Sequence, residues 1–190
     1  SGPMLNAYPD SMGESLSDIV RFLQLPELKQ VFQSFYILPS IFNTDLDRGF
    51  SVIDYGLNDL YAAQEDLDTL KGMGIDLKLD FILNHASVLS KQFQDILKNG
   101  EKSKYSDFFI NWNKFWEGCG EMTEEGYIRP YDHLIKDMFF RKPGLPILSV
   151  RMPDGREVPY WNTFYQEVRY KKVGAQELMK ALDLQYATAE

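Results

Sequence analysis

The sequence predicts an α/β fold, because short apolar segments typical of strands alternate with helical segments through its first half. The predicted strands lie at residues 4–8, 31–39 and 75–83. One helix is predicted in each interval, beginning near Ser15 and near Ala63. Strands joined through a helix usually lie parallel, with right-handed crossovers. We therefore predict two consecutive βαβ units.

The first helix has a recognisable start and end. Ser15 or Ser17 can cap its N-terminus, because a serine hydroxyl accepts a hydrogen bond from an unpaired backbone N–H. Pro26 ends the helix or opens a short further turn, since proline lacks a backbone donor. The apolar face between them is formed by Ile19, Val20, Phe22 and Leu23.

A long connection follows the second strand, whose apolar run is Phe35, Tyr36, Ile37 and Leu38. The connection, "SIFNTDLDRGFSVIDYGLNDLYA", exceeds the usual loop length, and such loops are mostly functional or disordered. Its Phe, Ile, Tyr and Leu content argues against disorder, so we predict a functional loop. The helix after it ends at Gly72 and Gly74.

Polar residues flank the third predicted strand. We interpret "DFILNHAS", residues 80–87, as a buried strand with Asp80 at its start and Asn84 and His85 at its end. His85 is one of only 2 histidines in the chain. The carboxyl ends of parallel strands share one edge, so Asn84 and His85 are expected near the long loop. Acid–base or substrate-binding chemistry is predicted at that edge.

The second half of the chain has a different character. Residues 88–98 predict another helix, and residues 100 to 172 are rich in loops and aromatic residues. This predicts a small α+β or irregular subdomain rather than another βα unit. "VRMPDGREVPYW" predicts a hairpin with Asp154 and Gly155 at its turn, and "GAQELMKALDL" predicts a final helix. Most of the aromatic side chains are expected in the core, although sugar sites also use aromatic faces.

Composition excludes several classes of protein. The 190 residues carry a net charge of −8, which disfavours nucleic acid and anionic membranes as partners. No apolar run reaches the roughly 20 residues that span a bilayer, so a soluble protein is expected. The single Cys119 allows no internal disulfide and favours a reducing cytoplasm. Ser1, Gly2 and Pro3 are typical of residues left by tag removal and are excluded from the fold prediction.

The chain is short for a closed barrel of eight parallel strands, which takes about 250 residues. Three strands and an irregular subdomain predict either a small open α/β protein or part of a larger one. Four segments resemble parts of a known protein family, and this resemblance favours the second alternative, part of a larger protein. They are "NAYPDSMGESLSDIVRFL", "YILPSIFNTDLDRGFSVIDY", "LKLDFILNHASVLSKQFQDIL" and "RKPGLP".

These segments resemble the N-terminal part of sucrose phosphorylases, which belong to the alpha-amylase superfamily of glycoside hydrolases (family 13). The pattern D-x-x-x-N-H at Asp80, Asn84 and His85 resembles the first signature of that superfamily. The resemblance implies strands 1 to 3 of a (β/α)8 barrel at residues 4–99. It further implies most of an inserted domain B at 100–190, which is expected to be incomplete by comparison with the family.

The resemblance also implies a sugar-binding role for three residues. His85 resembles the family histidine that hydrogen-bonds the glucosyl group in the −1 site, and a strand-end structural histidine is the alternative. Asp47 resembles the family acid that grips the 4- and 6-hydroxyls, with Asp45 as a neighbouring competitor. Phe50 resembles the aromatic platform beneath the same sugar, with ordinary packing as the alternative.

Other residues receive supporting or acceptor roles from the resemblance. Asp80 is implied to be mainly architectural, and Asn84 to link the barrel with domain B, with no metal site expected. Arg141 and Lys142 resemble a basic stretch that could receive phosphate or a phosphorylated sugar, and a solvated surface pair is an equal alternative. The positions that fall near the family's acceptor-facing residues are Phe164 and Gln166.

The implied activity is glucosyl transfer from sucrose, or sucrose 6'-phosphate, to inorganic phosphate as co-substrate, without a cofactor. The catalytic nucleophile and the acid/base are absent from these residues by resemblance, so the isolated chain is expected to be inactive. The remainder of the enzyme, possibly as a second chain, is the expected partner. The alternatives are a truncated or split piece of a related hydrolase or transglucosylase, or a glucosylglycerate or glucosylglycerol phosphorylase. The acceptor stays open among fructose, fructose 6-phosphate, glycerate and glycerol.

Overall fold

The computed structural model describes residues 2–45, 51–141 and 143–163. The chain divides into two compact units, the first unit Ser1–Ser90 and the second unit Lys91–Glu190. The predicted division into a barrel part at 4–99 and an insertion at 100–190 concerns the complete protein and stays a prediction.

The first unit contains a parallel sheet of three strands. Its elements in chain order are β1 (Met4–Ala7), α1 (Leu16–Leu23), β2 (Ser34–Ile37), β3 (Phe42–Thr44), β4 (Val52–Leu57), α2 (Gln64–Gly72) and β5 (Asp76–Leu79). Strands β1 and β5 flank β2, and both pair with it in parallel. The predicted βαβ units are confirmed. A short 3-10 helix, Pro26–Leu28, follows α1, so Pro26 opens a further turn.

Alternation along the strands gives the sheet an apolar and a polar face. Phe35 and Ile37 of β2 are fully buried in a cluster with Leu16 and Ile19 of α1 and Leu70 of α2. Side chains alternate between the two faces of a strand, so the intervening residues face away from this cluster. The intervening side chains therefore form a second face of the sheet, and this face is polar.

Side-chain hydrogen bonds fix the starts of both helices. Ser15 is the N-cap of α1, and its backbone N–H donates to the Asp18 carboxylate at 3.2 Å. Ser17 lies inside the helix, and its hydroxyl donates to Asp66 of α2 at 2.8 Å. Asp66 in turn accepts from the backbone N–H of Ala63, the N-cap of α2, at 3.0 Å. Of the two predicted caps, Ser15 is therefore the correct one.

Two expectations for the first unit were wrong. The long connection is not all loop, because β3 and β4 form an antiparallel ribbon within it. The buried strand predicted at 80–83 does not form, since β5 ends at Leu79 and the side chains of Phe81 and Leu83 are 65% and 73% exposed. Within the described residues β5 pairs with a strand on one side only.

The second unit is built from short antiparallel ribbons and short helices. Its elements are α3 (Lys91–Asn99), a 3-10 helix (Gly100–Lys102), α4 (Trp112–Phe115), β6 (Gly120–Met122), β7 (Ile128–Pro130), α5 (Asp132–Ile135), β8 (Ile147–Arg151) and β9 (Glu157–Trp161). The core contains Trp112, Trp116 and Ile128, with Trp161 packed against them. Trp112 Nε1 donates to the carbonyl of Ile128 at 2.7 Å, so its one polar atom is satisfied.

The predicted hairpin in the second unit is confirmed. Strands β8 and β9 pair in antiparallel register, with Arg151 opposite Glu157. The turn contains Asp154 and Gly155, and Gly155 has a φ of +85°, which glycine adopts without a steric penalty. The helix predicted at 174–184 lies outside the described residues.

Candidate functional site

The polar residues of the first unit gather beyond the carboxyl ends of β2 and β5. These strands are parallel neighbours, with Ile37 opposite Leu79. The segment after β2 leads into the β3–β4 ribbon, and the segment after β5 carries Asp80, Asn84 and His85. The predicted placement of both segments at one edge of the sheet is confirmed by this pairing.

Asp80 lies at the carboxyl end of β5, directly after Leu79, and the prediction that it starts a strand was wrong. Its carboxylate accepts a hydrogen bond from the Tyr36 hydroxyl at 2.6 Å. The bond to the Asp80 carboxylate raises the pKa of Tyr36, and desolvation adds to the shift. The ammonium of Lys78, opposite Tyr36 across the strands, lies 4.2 Å from the centre of the Tyr36 ring. Tyr36 thus holds Asp80 on the polar face of the sheet.

Asn84 and His85 form a hydrogen-bonded pair. The Asn84 side-chain oxygen lies 2.9 Å from Nδ1 of His85. An amide oxygen only accepts, so this contact favours the tautomer with the proton on Nδ1, in which Nε2 is an acceptor. Asn84 is exposed and His85 half-buried. Asn84 therefore orients the imidazole, a role that spacing alone did not reveal.

A serine–aspartate cluster, formed by Asp45, Ser51 and Ser87, joins the ribbon to the segment after His85. Asp45 Oδ2 accepts from the Ser51 hydroxyl at 2.9 Å and from the Ser87 hydroxyl at 2.5 Å. The backbone N–H of Asp45 donates to the Ser51 carbonyl at 3.0 Å. Asp47 and Phe50 lie between Asp45 and Ser51 in sequence and are outside the described residues.

Aromatic residues make a second connection between the ribbon and the segment after β5. The Tyr55 hydroxyl of β4 donates to the carbonyl of Ile82 at 2.6 Å. The Tyr55 ring lies between Phe42 and Phe81, with ring centroids 5.3 Å and 4.8 Å away. Sequence reasoning missed both connections, since their members are far apart in the chain and common in loops.

The acceptor-side predictions fall mostly beyond the described residues. Arg141, in the second unit, is exposed, while Lys142, Phe164 and Gln166 are outside the described part of the chain. Among described residues, no group of three or more His, Cys, Asp and Glu side chains is placed to hold a metal ion. The helices in the described ranges are all too short or too polar to cross a membrane.

Comparison with known proteins identifies several relatives of the chain. No protein-family model matches the chain. The chain is 58% identical over 165 residues to the sucrose 6(F)-phosphate phosphorylase of Ilumatobacter coccineus, which covers 87% of this chain and 32% of that protein. It is 34% identical over 162 residues to the sucrose 6(F)-phosphate phosphorylase of Thermoanaerobacterium thermosaccharolyticum, covering 84% and 30%. It is 28% identical over 181 residues to the glucosylglycerol phosphorylase of Marinobacter adhaerens, covering 93% and 35%.

Solved structures share the fold. The crystal structure of a sucrose 6F-phosphate phosphorylase from Thermoanaerobacter thermosaccharolyticum matches with a TM-score of 0.73 at 32% identity, over 87% of this chain and 31% of that one. A trehalose-6-phosphate hydrolase from Bacillus licheniformis matches with a TM-score of 0.62 at 16% identity, over 95% and 31%, which bears on the fold alone. The chain spans about a third of the length of the curated relatives it matches.

The fold defines the class first: the first unit has the architecture of the N-terminal part of a (β/α)8 barrel, as in these solved structures. Strands β1, β2 and β5 are the three barrel strands that the sequence predicted. In sequence, the chain is similar to the N-terminal third of sucrose phosphorylases and sucrose 6(F)-phosphate phosphorylases.

Proposed function

We propose that the chain is the N-terminal part of a retaining phosphorylase that transfers a glucosyl group from sucrose, or sucrose 6'-phosphate, to inorganic phosphate. The products are α-glucose 1-phosphate and fructose, or fructose 6-phosphate. The observation that carries this proposal is the 58% identity to a sucrose 6(F)-phosphate phosphorylase over 165 residues. Because that relative is named for the phosphorylated sugar, we propose that sucrose 6'-phosphate is the preferred substrate.

The proposed reaction has two displacement steps at C1 of the glucosyl group. First, an enzyme carboxylate attacks C1, the bond to the fructosyl oxygen breaks, and a carboxylic acid gives that oxygen its proton. Phosphate then attacks C1, the carboxylate leaves, and the proton of phosphate returns to the acid/base group. We propose that both carboxylates lie outside these 190 residues, so the chain alone is inactive.

In this proposal, the role of the chain is to bind the glucosyl group. His85 hydrogen-bonds a sugar hydroxyl through Nε2, in the tautomer that its contact with Asn84 favours. Asp47 accepts from the 4- and 6-hydroxyls, and Phe50 packs against the apolar face of the ring. Asp80, held by Tyr36, supports the same edge of the sheet. Such bonds raise the rate to the extent that they tighten in the oxocarbenium-like transition state.

The second unit is proposed to serve the acceptor. Arg141 and Lys142 supply positive charge for inorganic phosphate or for the phosphate of the sugar, and a guanidinium binds phosphate in a bidentate manner. Phe164 and Gln166 contact the acceptor. The reaction needs no cofactor, and the protein is cytoplasmic in this proposal. The missing barrel strands come from the remainder of the enzyme, in the same or a second polypeptide.

The test of the activity is to give the complete protein sucrose or sucrose 6'-phosphate together with phosphate. We expect α-glucose 1-phosphate, with faster formation from the phosphorylated sugar. Finding no glucose 1-phosphate from either sugar would sink the proposal. The 28% identity to a glucosylglycerol phosphorylase motivates a second candidate, phosphorolysis of glucosylglycerol, which is assayed in parallel. Free glucose formed equally fast without phosphate would instead indicate a hydrolase.

The role of His85 has a matched control, because the chain holds only 2 histidines. His85→Ala is expected to lower kcat/KM about 100- to 1,000-fold, the usual effect of losing a hydrogen bond that forms in the transition state. His133 lies in the second unit, exposed and stacked on Tyr131 with ring centroids 6.0 Å apart, so His133→Ala should leave kcat/KM unchanged. Equal losses in both variants would contradict the assignment of His85.

A further inference from the structure

The serine–aspartate cluster differs from an ordinary loop contact in how fully its groups are used. The Ser87 side chain is 1% exposed, and its hydroxyl donates to Asp45 while accepting from the backbone N–H of Leu89 at 3.0 Å. The backbone N–H of Ser87 donates to the carbonyl of Val52 at 2.9 Å, and its carbonyl accepts from Ser90 at 3.0 Å. Every polar group of Ser87 is therefore bonded.

The cluster fixes two segments to each other. Asp45 and Ser51 lie on either side of residues 46–50 and are bonded to each other through backbone and side chain. Ser87 lies two residues after His85 and bonds to both sides of that connection, through Asp45 and through Val52. Hydrogen bonds that involve a carboxylate are about twice as strong as neutral ones, which makes this a firm attachment.

We propose that Asp45, Ser51 and Ser87 are positioning residues for the glucosyl pocket. They attach the β3–β4 ribbon, through Asp45 and Val52, to the segment that carries His85, and they act through His85 rather than on the sugar. This inference rests on the proposed function of His85.

Activity of the complete protein gives the first test. Asp45→Ala removes the shared acceptor, and we expect kcat/KM to fall about 100-fold, the usual result of misplacing a binding group by about 1 Å. Ser87→Ala removes one of the two donors and should cost about 10-fold. Asp45→Asn keeps an oxygen that accepts both hydroxyls, so it should restore activity to within about 3-fold of the unmodified protein.

The second unit offers a matched control. The Ser103 hydroxyl donates to Asp95 at 2.5 Å and accepts from the backbone N–H of Tyr105 at 3.1 Å, the same local arrangement as at Ser87. Ser103→Ala should therefore lower the melting temperature about as much as Ser87→Ala while leaving KM and kcat unchanged. If both variants lose activity in proportion to their melting temperature, the cluster is only structural and the inference is overturned.

Hydrogen exchange separates this inference from the proposed function. Ser87→Ala should speed amide exchange in peptides that contain residues 44–54, and Ser103→Ala should not, whatever substrate the protein uses. Unchanged exchange in 44–54 would overturn the inference even in an active enzyme. If the unmodified protein consumes none of the proposed sugars, the proposed function fails, while faster exchange in Ser87→Ala still supports a positioning role for the cluster.

Discussion

The two units of the chain bury their cores by different means. The first unit packs aliphatic side chains and Phe35 between a parallel sheet and two helices. The second unit packs tryptophans between short antiparallel ribbons, with the Trp112 and Trp161 ring centroids 4.8 Å apart and Trp116 stacked on Trp161 at 6.1 Å. A sheet with helices repeats a regular pattern, whereas a core of large rings depends on individual contacts.

This difference provides a spectroscopic means of following each unit. All 3 tryptophans of the 190 residues lie in the second unit, so the tryptophan fluorescence of this chain reports on that unit alone. Far-UV circular dichroism reports on the helices and strands of both units. The two signals together can show whether the units unfold separately, which is the behaviour that separate cores predict.

The largest effect is expected from Phe35→Ala in the first unit. Phe35 is fully buried in the middle strand of the sheet, so the change should cost about 3–5 kcal/mol of unfolding free energy through lost contacts and a cavity. In urea, the part of the circular dichroism change that comes from the first unit should move to lower concentration, and the fluorescence transition should not move. Phe139→Ala, at a side chain 86% exposed in the second unit, is the control that should change neither. Equal shifts of both signals would show that the two cores unfold as one.

A smaller effect, in the opposite unit, is expected from Trp112→Phe. The change leaves space beside Trp161 and removes the hydrogen bond to the buried Ile128 carbonyl, at a cost of about 2–3 kcal/mol. The fluorescence transition, now reporting Trp116 and Trp161, should move to lower urea concentration. A first-unit transition that moves as far would contradict the separation of the cores.

The sequence predicted the first unit better than the second, and the reason is physical. Helical spacing in 15–25 and strand–helix alternation are local patterns, and they located β1, β2, α1 and α2. The hairpin β8–β9 was also predictable, because Asp154 and Gly155 specify a tight turn. In contrast, the tryptophan core joins residues from separate ribbons, and no local pattern specifies that arrangement.

The sequence predicted which residues form the candidate site, but not the contacts between their side chains. His85 and Asn84 stand out after an apolar segment, but the bond between Asn84 and His85 depends on side-chain rotation. Tyr36 and Asp80 are 44 residues apart and bond across two strands, and Ser87 and Asp45 are 42 residues apart. One pattern in the sequence does predict the polar side of the sheet. Polar or amphipathic residues at alternate positions of β2 and β5 indicate a sheet with a polar second face.

The smallest effect at neutral pH, and the most specific comparison of the units, concerns Tyr36 and Tyr160. The pKa of Tyr36 is raised chiefly by its hydrogen bond to Asp80, whereas the pKa of Tyr160 is raised chiefly by burial. A raised folded-state pKa favours the neutral phenol, so each tyrosine stabilises the fold below the usual pKa of about 10. That contribution is lost as pH rises through the folded-state pKa.

Replacing each tyrosine by phenylalanine should therefore reduce alkaline unfolding in its own unit. For Tyr160→Phe, the fluorescence transition should become less sensitive to pH above about 10. For Tyr36→Phe, the same change should occur in the circular dichroism transition only. Alkaline unfolding that is unchanged in both variants would mean that other groups control it in each unit.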